Sequence, residues 1–227
     1  MGKLIVANYK MNGDKYFYHS IQKKFNKLKL QDTKIILCPP FVYLPTFKIK
    51  NKNFAIGSQD ISNKIDNKST GQISPKMLTE FGVEYCLINH SERKILGEGL
   101  STAKEKIKNS INAGMQPIIC IDENEVENGI EKILKGQKFF SPIFAYEPSW
   151  AIDSGKFATV EEINSVVDKI KSQCKNLGFD CKVLYGGGVD LKTYSSIKTA
   201  EVDGFLLGGV CLNVDETILL IKEVENE

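Results

Sequence analysis

Three ionisable side chains that are far apart in the sequence each come at or just after a short apolar run. Glu147 directly follows PIFAY, His90 follows YCLIN, and Lys10 lies two residues after LIVAN. A carboxylate at the end of a buried strand meets surroundings of low dielectric constant, which can tune it for proton transfer. His90 precedes an apparent helix start, where the dipole favours a neutral imidazole that donates a hydrogen bond. Lys10 would place a cation beside an anionic substrate, so the three residues indicate acid–base chemistry on an anion.

Each of these residues also has a structural interpretation. Glu147 could form a surface ion pair at a strand end, His90 could simply cap a helix, and Lys10 could be a solvated lysine near the amino end. Glu92 and Arg93, the only arginine in the chain, are more typical of scaffold than of chemistry. The chemical interpretation gains weight because the segments stand at the ends of different predicted strands.

Two glycine clusters, Gly186–Gly188 and Gly208–Gly209, follow the last two apolar runs. Glycine lets backbone amides approach an anion closely, and a helix start after Gly209 would add the favourable end of its dipole. A single glycine pair is weak evidence, because turns use glycine freely. Two clusters at neighbouring strand ends favour a phosphate site.

Eight short apolar runs, separated by amphipathic stretches, predict eight strands. Their nearly continuous apolarity suits a parallel sheet that is covered on both faces. The predicted strands are Leu4–Asn8, Lys34–Cys38, Phe54–Gln59, Tyr85–Asn89, Pro117–Ile121, Ile143–Tyr146, Lys182–Tyr185 and Gly204–Leu207. Helical spacing between them includes the apolar stripe of Ile163–Ile170, which Thr159 and Glu162 precede as a capping box. Between Asp122 and Pro142 the helix can be little more than Ile130–Lys135.

Strands that alternate with helices predict the α/β class and, with eight repeats, a closed (β/α)8 barrel that forms a single domain over residues 1–227. An open, doubly wound sheet is the alternative, but no strand is followed by G-x-G-x-x-G or a Walker-type loop. Because barrel active sites lie at the carboxyl ends of the strands, the polar residues named above would converge there.

Composition excludes several classes of protein. The chain is 42% hydrophobic and 26% charged with a net charge of +2, a balance that gives no reason to expect a nucleic acid or membrane partner. It contains neither a secretion leader nor a run of 18 apolar residues, so we expect a cytoplasmic protein. None of the six cysteines forms a C-x-x-C pair. They are predicted to be buried thiols in a reducing compartment, and no metal site is expected.

From end to end the sequence resembles the triosephosphate isomerase family. The segments that carry the resemblance are NYKMNG at 8–13, Gln59, Thr70-Gly71, HSER at 90–93, Gly97-Glu98, Cys120 with Glu123, YEPSWAI at 146–152, YGGGV at 185–189 and GFLLGG at 204–209. The resemblance implies a TIM barrel that interconverts D-glyceraldehyde 3-phosphate and dihydroxyacetone phosphate through an enediolate, in glycolysis and gluconeogenesis, without a metal or an organic cofactor.

The same resemblance implies catalytic roles. Glu147 would be the base and His90 the neutral electrophile, two roles for which this enzyme family is itself a standard example and which are therefore inherited rather than worked out from the residues. Lys10 would bind the substrate and stabilise the enediolate, with Asn8 at the same oxygen. Glu92 would support the site.

The remaining implied roles concern the phosphate and a second subunit. Gly188, Gly208 and Gly209 would offer amides to the phosphate, and residues 152–155 would belong to a closing lid. The long loop 62–72 would insert into a partner subunit, with Thr70 reaching the partner's active site. A homodimer that acts on small triose phosphates is the expectation.

Several residues depart from the pattern of the family. They are Tyr9 for Trp, Gln72 for a Glu that could pair with Arg93 between subunits, Asn89 for Gly, Asp122 for Gly, Ser149 for an aliphatic residue, Asp153 for Gly and Gly188 for Ser. Asp153 stands where a glycine amide would meet the phosphate in the closed lid. Two other functions stay open: another phosphate-binding barrel such as a sugar-phosphate epimerase, and a barrel with an added surface-binding role. The set Lys10, His90 and Glu147 disfavours the first.

Overall fold

The structure is a computed structural model that describes residues 2–48, 50–65, 68–138, 140–151 and 154–227. Its centre is a closed barrel of eight strands in sequence order, all parallel, in which the last strand pairs with the first. The strands are β1 Leu4–Asn8, β2 Lys34–Cys38, β3 Phe54–Ser58, β4 Val83–Ile88, β5 Gln116–Ile121, β6 Ile143–Tyr146, β7 Lys182–Tyr185 and β8 Gly204–Leu207. The predicted (β/α)8 barrel is therefore confirmed.

Helices surround the barrel. They are α1 Lys15–Phe25, α2 Pro75–Glu80, α3 Ser91–Ile95, α4 Leu100–Asn112, α5 Glu123–Asn128, α6 Ile130–Leu134, α7 Val160–Asn176, α8 Leu191–Ile197 and α9 Val214–Glu225, with 3-10 helices at Phe41–Thr46 and Gly209–Leu212. The longest, α7, begins with the predicted capping box of Thr159 and Glu162 and buries the predicted apolar stripe against the sheet. In the part of the chain that the structure describes, none of the helices combines the length and apolarity needed to cross a bilayer.

Alternation along each strand separates two apolar layers. Leu4 and Val6 face the inside of the barrel, whereas Ile5 and Ala7 face the helices. Because side chains alternate with period two, the next inward position after Val6 is Asn8, and the next after Ala145 is Glu147. The same count after Leu206 gives Gly208. The carboxyl end of the barrel is therefore where the apolar interior gives way to polar side chains and glycines.

The predicted strands agree with the structure to within two residues at either end. β4 begins at Val83 rather than Tyr85 and ends before Asn89, which has a positive φ of 65° and so cannot continue the strand. β3 ends one residue before Gln59. The cysteines are free and buried as predicted, except that Cys181 is half-buried.

The prediction for residues 122–142 was incomplete. The structure places α6 at Ile130–Leu134, as expected, but a second short helix, α5, precedes it. Its sequence, ENEVEN, buries only Val126 and so shows no apolar period. What starts this helix is a capping box of Asp122 and Glu125, a local polar signal that hydrophobic spacing does not detect.

Candidate active site

A cavity of about 230 Å³ opens at the carboxyl ends of the strands. The residues predicted to form the site that line it are Asn8, Lys10, His90, Glu147, Gly188, Gly208 and Gly209. Glu92 and Arg93 line an adjacent cavity of about 210 Å³, which shares Asn8, Lys10 and His90 with the first. Thr70 is exposed on the loop before α2, and Asp153 lies outside the described residues.

Glu147 is a buried carboxylate that faces the cavity. Its backbone N–H donates to the carbonyl of Ile121 (2.9 Å), which fixes the residue at the end of the sheet. Only 8% of its surface is exposed, and its Oε2 accepts no hydrogen bond from any residue that the structure describes. Burial raises the pKa of Glu147, and the nearby Cys120 thiol and Lys10 ammonium offset only part of this rise. The carboxylate is therefore a stronger base than an ordinary glutamate.

The position of Glu147 depends on a glycine. A Cβ on Gly186 would lie 2.9 Å from Cγ of Glu147, so no larger residue fits at the end of β7. Gly186 was expected to belong to a phosphate-binding cluster, whereas in the structure it makes room for the carboxylate. The sequence does carry a signal for this role. Leu184 faces the inside of the barrel, and side chains alternate along a strand, so position 186 also faces inward.

His90 is buried at the start of α3, where it caps the helix as its position predicted. Its Nδ1 accepts a hydrogen bond from the backbone N–H of Glu92 (3.3 Å). Because a backbone amide can only donate, we assign the ring proton to Nε2, which makes the imidazole neutral. Nε2 lies 3.5 Å from Oε1 of Glu147 and 3.3 Å from Nδ2 of Asn8. With Nε2 protonated, the contact with Asn8 is packing, and the Nε2–H group points into the cavity.

Lys10 is held in a strained backbone conformation beside these groups. Its φ of 50° is uncommon for a residue with a side chain. Its N–H donates to Oδ1 of Asn8 (3.0 Å), and its carbonyl accepts from Nε2 of Gln59 (2.7 Å). The ammonium lies 2.9 Å from Oε1 of Glu92. Two hydrogen bonds thus stabilise a turn that directs the lysine over the cavity.

Glycines form another part of the cavity lining. Gly188 has a φ of 68°, and a Cβ there would lie 3.0 Å from the carbonyl oxygen of Lys156, so the backbone at Lys156 packs directly against it. Gly209 begins the 3-10 helix Gly209–Leu212, which partly confirms the predicted helix start. This helix is only four residues long, so its backbone N–H groups would attract an anion more than its small dipole would.

The segment after Glu147 is held at both ends. At its start, the N–H of Ser149 donates to Oε2 of Glu123 (3.0 Å), and the Ser149 hydroxyl donates to Oε1 of the same carboxylate. At its end, the N–H of Ala158 donates to the hydroxyl of Tyr185 (2.8 Å). The sequence analysis missed this role of Tyr185, which only the packing of β7 against the segment reveals.

Arg93 belongs to a separate charged cluster, adjacent to the cavity. Its Nε donates to Glu98 (2.9 Å), and its NH2 group lies 3.2 Å from Oδ2 of Asp60. Lys106, which is almost fully buried on α4, bonds both Asp60 and Glu98 at 2.6 Å. Sequence reasoning missed Asp60 and Lys106; the signal was a lysine on the apolar face of a helix.

Comparison with known proteins identifies the family. Residues 3–224 match the family model described as triosephosphate isomerase. Three curated proteins named triosephosphate isomerase are similar over nearly their whole length. The protein from Clostridium botulinum (strain Langeland / NCTC 10281 / Type F) is 33% identical, covering 96% of this chain and 98% of its own. Those from Idiomarina loihiensis and Wolbachia sp. subsp. Brugia malayi are 31% and 34% identical, covering 98% and 99% of this chain and 98% and 99% of their own. The chain belongs to the triosephosphate isomerase family.

Proposed function

We propose that this protein interconverts D-glyceraldehyde 3-phosphate and dihydroxyacetone phosphate, and that Glu147, His90 and Lys10 carry out the proton transfer. The observation that carries these roles is the buried Glu147 carboxylate, which faces the cavity with one oxygen unpartnered among the described residues. A neutral imidazole and an ammonium lie beside it. The reaction would serve glycolysis and gluconeogenesis.

The chemistry follows from the charges. Glu147 takes the proton from the carbon beside the carbonyl, and the electron pair of that C–H bond forms the double bond of the enediolate. Negative charge then develops on the carbonyl oxygen, where His90 Nε2–H and the Lys10 ammonium stabilise it. The hydroxyl proton moves from one oxygen to the other beside His90. Glu147 returns its proton to the neighbouring carbon, which completes the isomerisation without loss or gain of atoms.

The glycines of the cavity lining would hold the phosphate. Gly188, Gly208 and Gly209 line the same cavity as Glu147, and their amides would bind the phosphate dianion. Covering the site matters because an enediolate phosphate that meets water can eliminate its phosphate. Residues 152–155 would supply that cover, with Asp153 near the phosphate. A sugar-phosphate epimerase is not favoured, because the family match and the set Lys10, His90 and Glu147 both support the isomerase.

A homodimer is part of the proposal. The apolar side chains of Met11, Ile65 and Ile95 are 95%, 72% and 83% exposed, and each lies in a segment that follows a barrel strand. Met11 also lines the adjacent 210 Å³ cavity. Loop 62–72 of a partner, with Thr70, would fill this cavity and reach Asn8 and Lys10. Light scattering on Met11→Glu would then show monomers, whereas an unchanged dimer would contradict this interface.

The other expected properties follow from composition. Six free cysteines fit a reducing cytoplasm. A net charge of +2 fits a small-molecule substrate rather than a nucleic acid or a membrane surface.

The decisive experiment is a coupled assay that supplies glyceraldehyde 3-phosphate and detects dihydroxyacetone phosphate. We expect the native protein to approach the diffusional ceiling of about 10⁸ M⁻¹s⁻¹. Glu147→Gln keeps the shape but removes the base, so kcat should fall by about 10³-fold. Glu131→Gln, an exposed position on α6, is the matched control and should be unchanged. A folded native protein without turnover would contradict the reaction, and an active Glu147→Gln would contradict the base.

A further inference from the structure

Three departures from the family pattern, Asn89, Asp122 and Ser149, meet at one place in the structure. That place is the end of β5 and the first turn of α5, residues Cys120–Glu125, which we call the β5–α5 corner. β5 lies between β4, which leads to His90, and β6, which leads to Glu147. The corner therefore contacts both segments that carry the central groups of the site.

Asn89 attaches the His90 side to the corner. Its left-handed backbone, with a φ of 65°, is one that asparagine tolerates better than most residues with a side chain. Its Nδ2 donates to the carbonyl of Cys120 (2.9 Å) and to Oε1 of Glu125 (2.8 Å). A glycine would allow the same turn but could make neither bond. Asparagine thus adds two hydrogen bonds from the residue immediately before His90.

Lys94 attaches the other end of the same short helix. It lies in the last turn of α3, where its ammonium donates to Oδ2 of Asp122 (2.8 Å) and to Oε2 of Glu125. Burial would lower the pKa of Lys94, but its hydrogen bonds with the two carboxylates outweigh burial and raise it. Asp122 also caps α5 through the N–H groups of Asn124 and Glu125. The helix that begins at His90 is therefore held to the corner at both ends.

The corner holds the Glu147 side as well. The N–H of Glu147 donates to the carbonyl of Ile121 (2.9 Å), and Glu123 accepts two hydrogen bonds from Ser149. One rigid turn thus contacts the residue before His90 and the residues at and after Glu147. The two side chains that these segments carry lie close together: His90 Nε2 is 3.5 Å from Glu147 Oε1.

We propose that the β5–α5 corner sets the position of His90 relative to Glu147, and that Asn89 is a positioning residue for the reaction. This inference rests on the proposed function. Misplacing a reacting group by about 1 Å can cost about 10²-fold in rate, because the transition state needs closer alignment than the bound substrate. The amide of Asn89 acts on catalysis through His90, not by touching the substrate.

Asn89→Gly tests the proposal, because it keeps the left-handed turn and removes both hydrogen bonds. We expect kcat to fall by about 10-fold while KM stays within about 2-fold, the pattern of an interaction that matters in the transition state. Asn51→Ala is the control. Asn51 Nδ2 donates to the carbonyl of Leu28 (2.7 Å) in the segment that precedes β3, at the opposite end of the barrel. It should lower the melting temperature without changing kcat.

A double-mutant cycle separates positioning from a general loss of stability. If Asn89 acts through Glu125, the combination of Asn89→Gly with Glu125→Ala should lower kcat little more than the worse single change, because each change removes the hydrogen bond between Asn89 Nδ2 and the Glu125 carboxylate. Independent, multiplying effects would overturn the proposal. So would an Asn89→Gly protein that melts earlier with unchanged kcat. Absence of turnover in the native protein would instead contradict the proposed function, so the two failures are distinguishable.

Discussion

Two charged clusters meet at α3, which contributes one residue to each, and they differ in one respect. The catalytic cluster consists of Lys10, His90, Glu92 and Glu147, and the arginine cluster consists of Asp60, Arg93, Glu98 and Lys106. Consecutive residues of one helix, Glu92 and Arg93, belong to different clusters. Each cluster combines two carboxylates with two basic side chains, so composition alone does not explain why only the catalytic cluster contributes side chains to the cavity of about 230 Å³.

The two clusters differ in how completely their carboxylate oxygens are paired. In the arginine cluster, all four oxygens of Asp60 and Glu98 contact a cation. In spite of its burial, hydrogen bonds with Arg93 and Lys106 lower the pKa of Glu98, whereas burial still raises the pKa of Asp60. In the catalytic cluster, Oε2 of Glu147 accepts no bond from the described residues, and burial raises its pKa. Complete pairing stabilises a fold, whereas a buried group left unpaired toward a cavity can still react.

Of the lysines in the two clusters, Lys10 should have the larger effect on activity. Lys10→Met removes the charge that stabilises the enediolate, and loss of one such group costs about 10²–10³-fold in kcat. Stability should change by less than about 1 kcal/mol, because the pair with Glu92 is solvent-accessible. Steady-state kinetics together with urea unfolding measures both. A protein that unfolds readily but retains its kcat would reverse the comparison.

The opposite result is expected in the arginine cluster. Lys106→Met leaves Asp60 and Glu98 partly uncompensated in a buried site, which should cost about 3–5 kcal/mol in the free energy of unfolding. The kcat of the folded protein should change little. Urea unfolding at one fixed protein concentration measures the loss, since association would also shift the midpoint. Lys108→Met, at an exposed position of the same helix, is the control. A Lys106→Met protein that loses kcat but keeps its full stability would contradict the assignment of this cluster to stability rather than to catalysis.

The pH dependence of activity and stability should follow the ionisation of Glu147. Because burial raises the pKa of Glu147 in the folded protein, kcat/KM should decline on the acid side at a higher pH than for an ordinary glutamate. The ionised carboxylate also destabilises the fold above that pKa, and the penalty disappears below the unfolded value of about 4.3. Glu147→Gln should therefore be more stable than the native protein at pH 8 and equal to it in acid. A less stable variant at pH 8 would show that burial does not dominate.

The sequence predicted the barrel well because its signals are repeated and local. Each strand is a short apolar run, and the same parity that buries Val6 and Ala145 directs Asn8 and Glu147 inward. The pairing of Lys106 with Asp60 was not predictable, since the two residues are 46 positions apart and meet only after folding. The two hydrogen bonds of the Asn89 side chain were not predictable either, because their acceptors belong to β5 and α5, more than 30 positions away.

A further departure can be tested although Asp153 lies outside the described residues. Its carboxylate, in the predicted lid, would repel the phosphate dianion, so Asp153→Gly should lower KM by a few-fold. The effect should be the smallest of these predictions and should shrink in about 1 M salt, because dissolved ions screen the repulsion between two charges. Asp153→Asn removes the charge and keeps the shape. If both variants lower KM equally, charge is the cause; if only glycine does, the backbone amide is. An unchanged or higher KM in both variants would contradict any contact between residue 153 and the phosphate. The catalytic cluster would then differ from the arginine cluster only in how completely its carboxylate oxygens are paired.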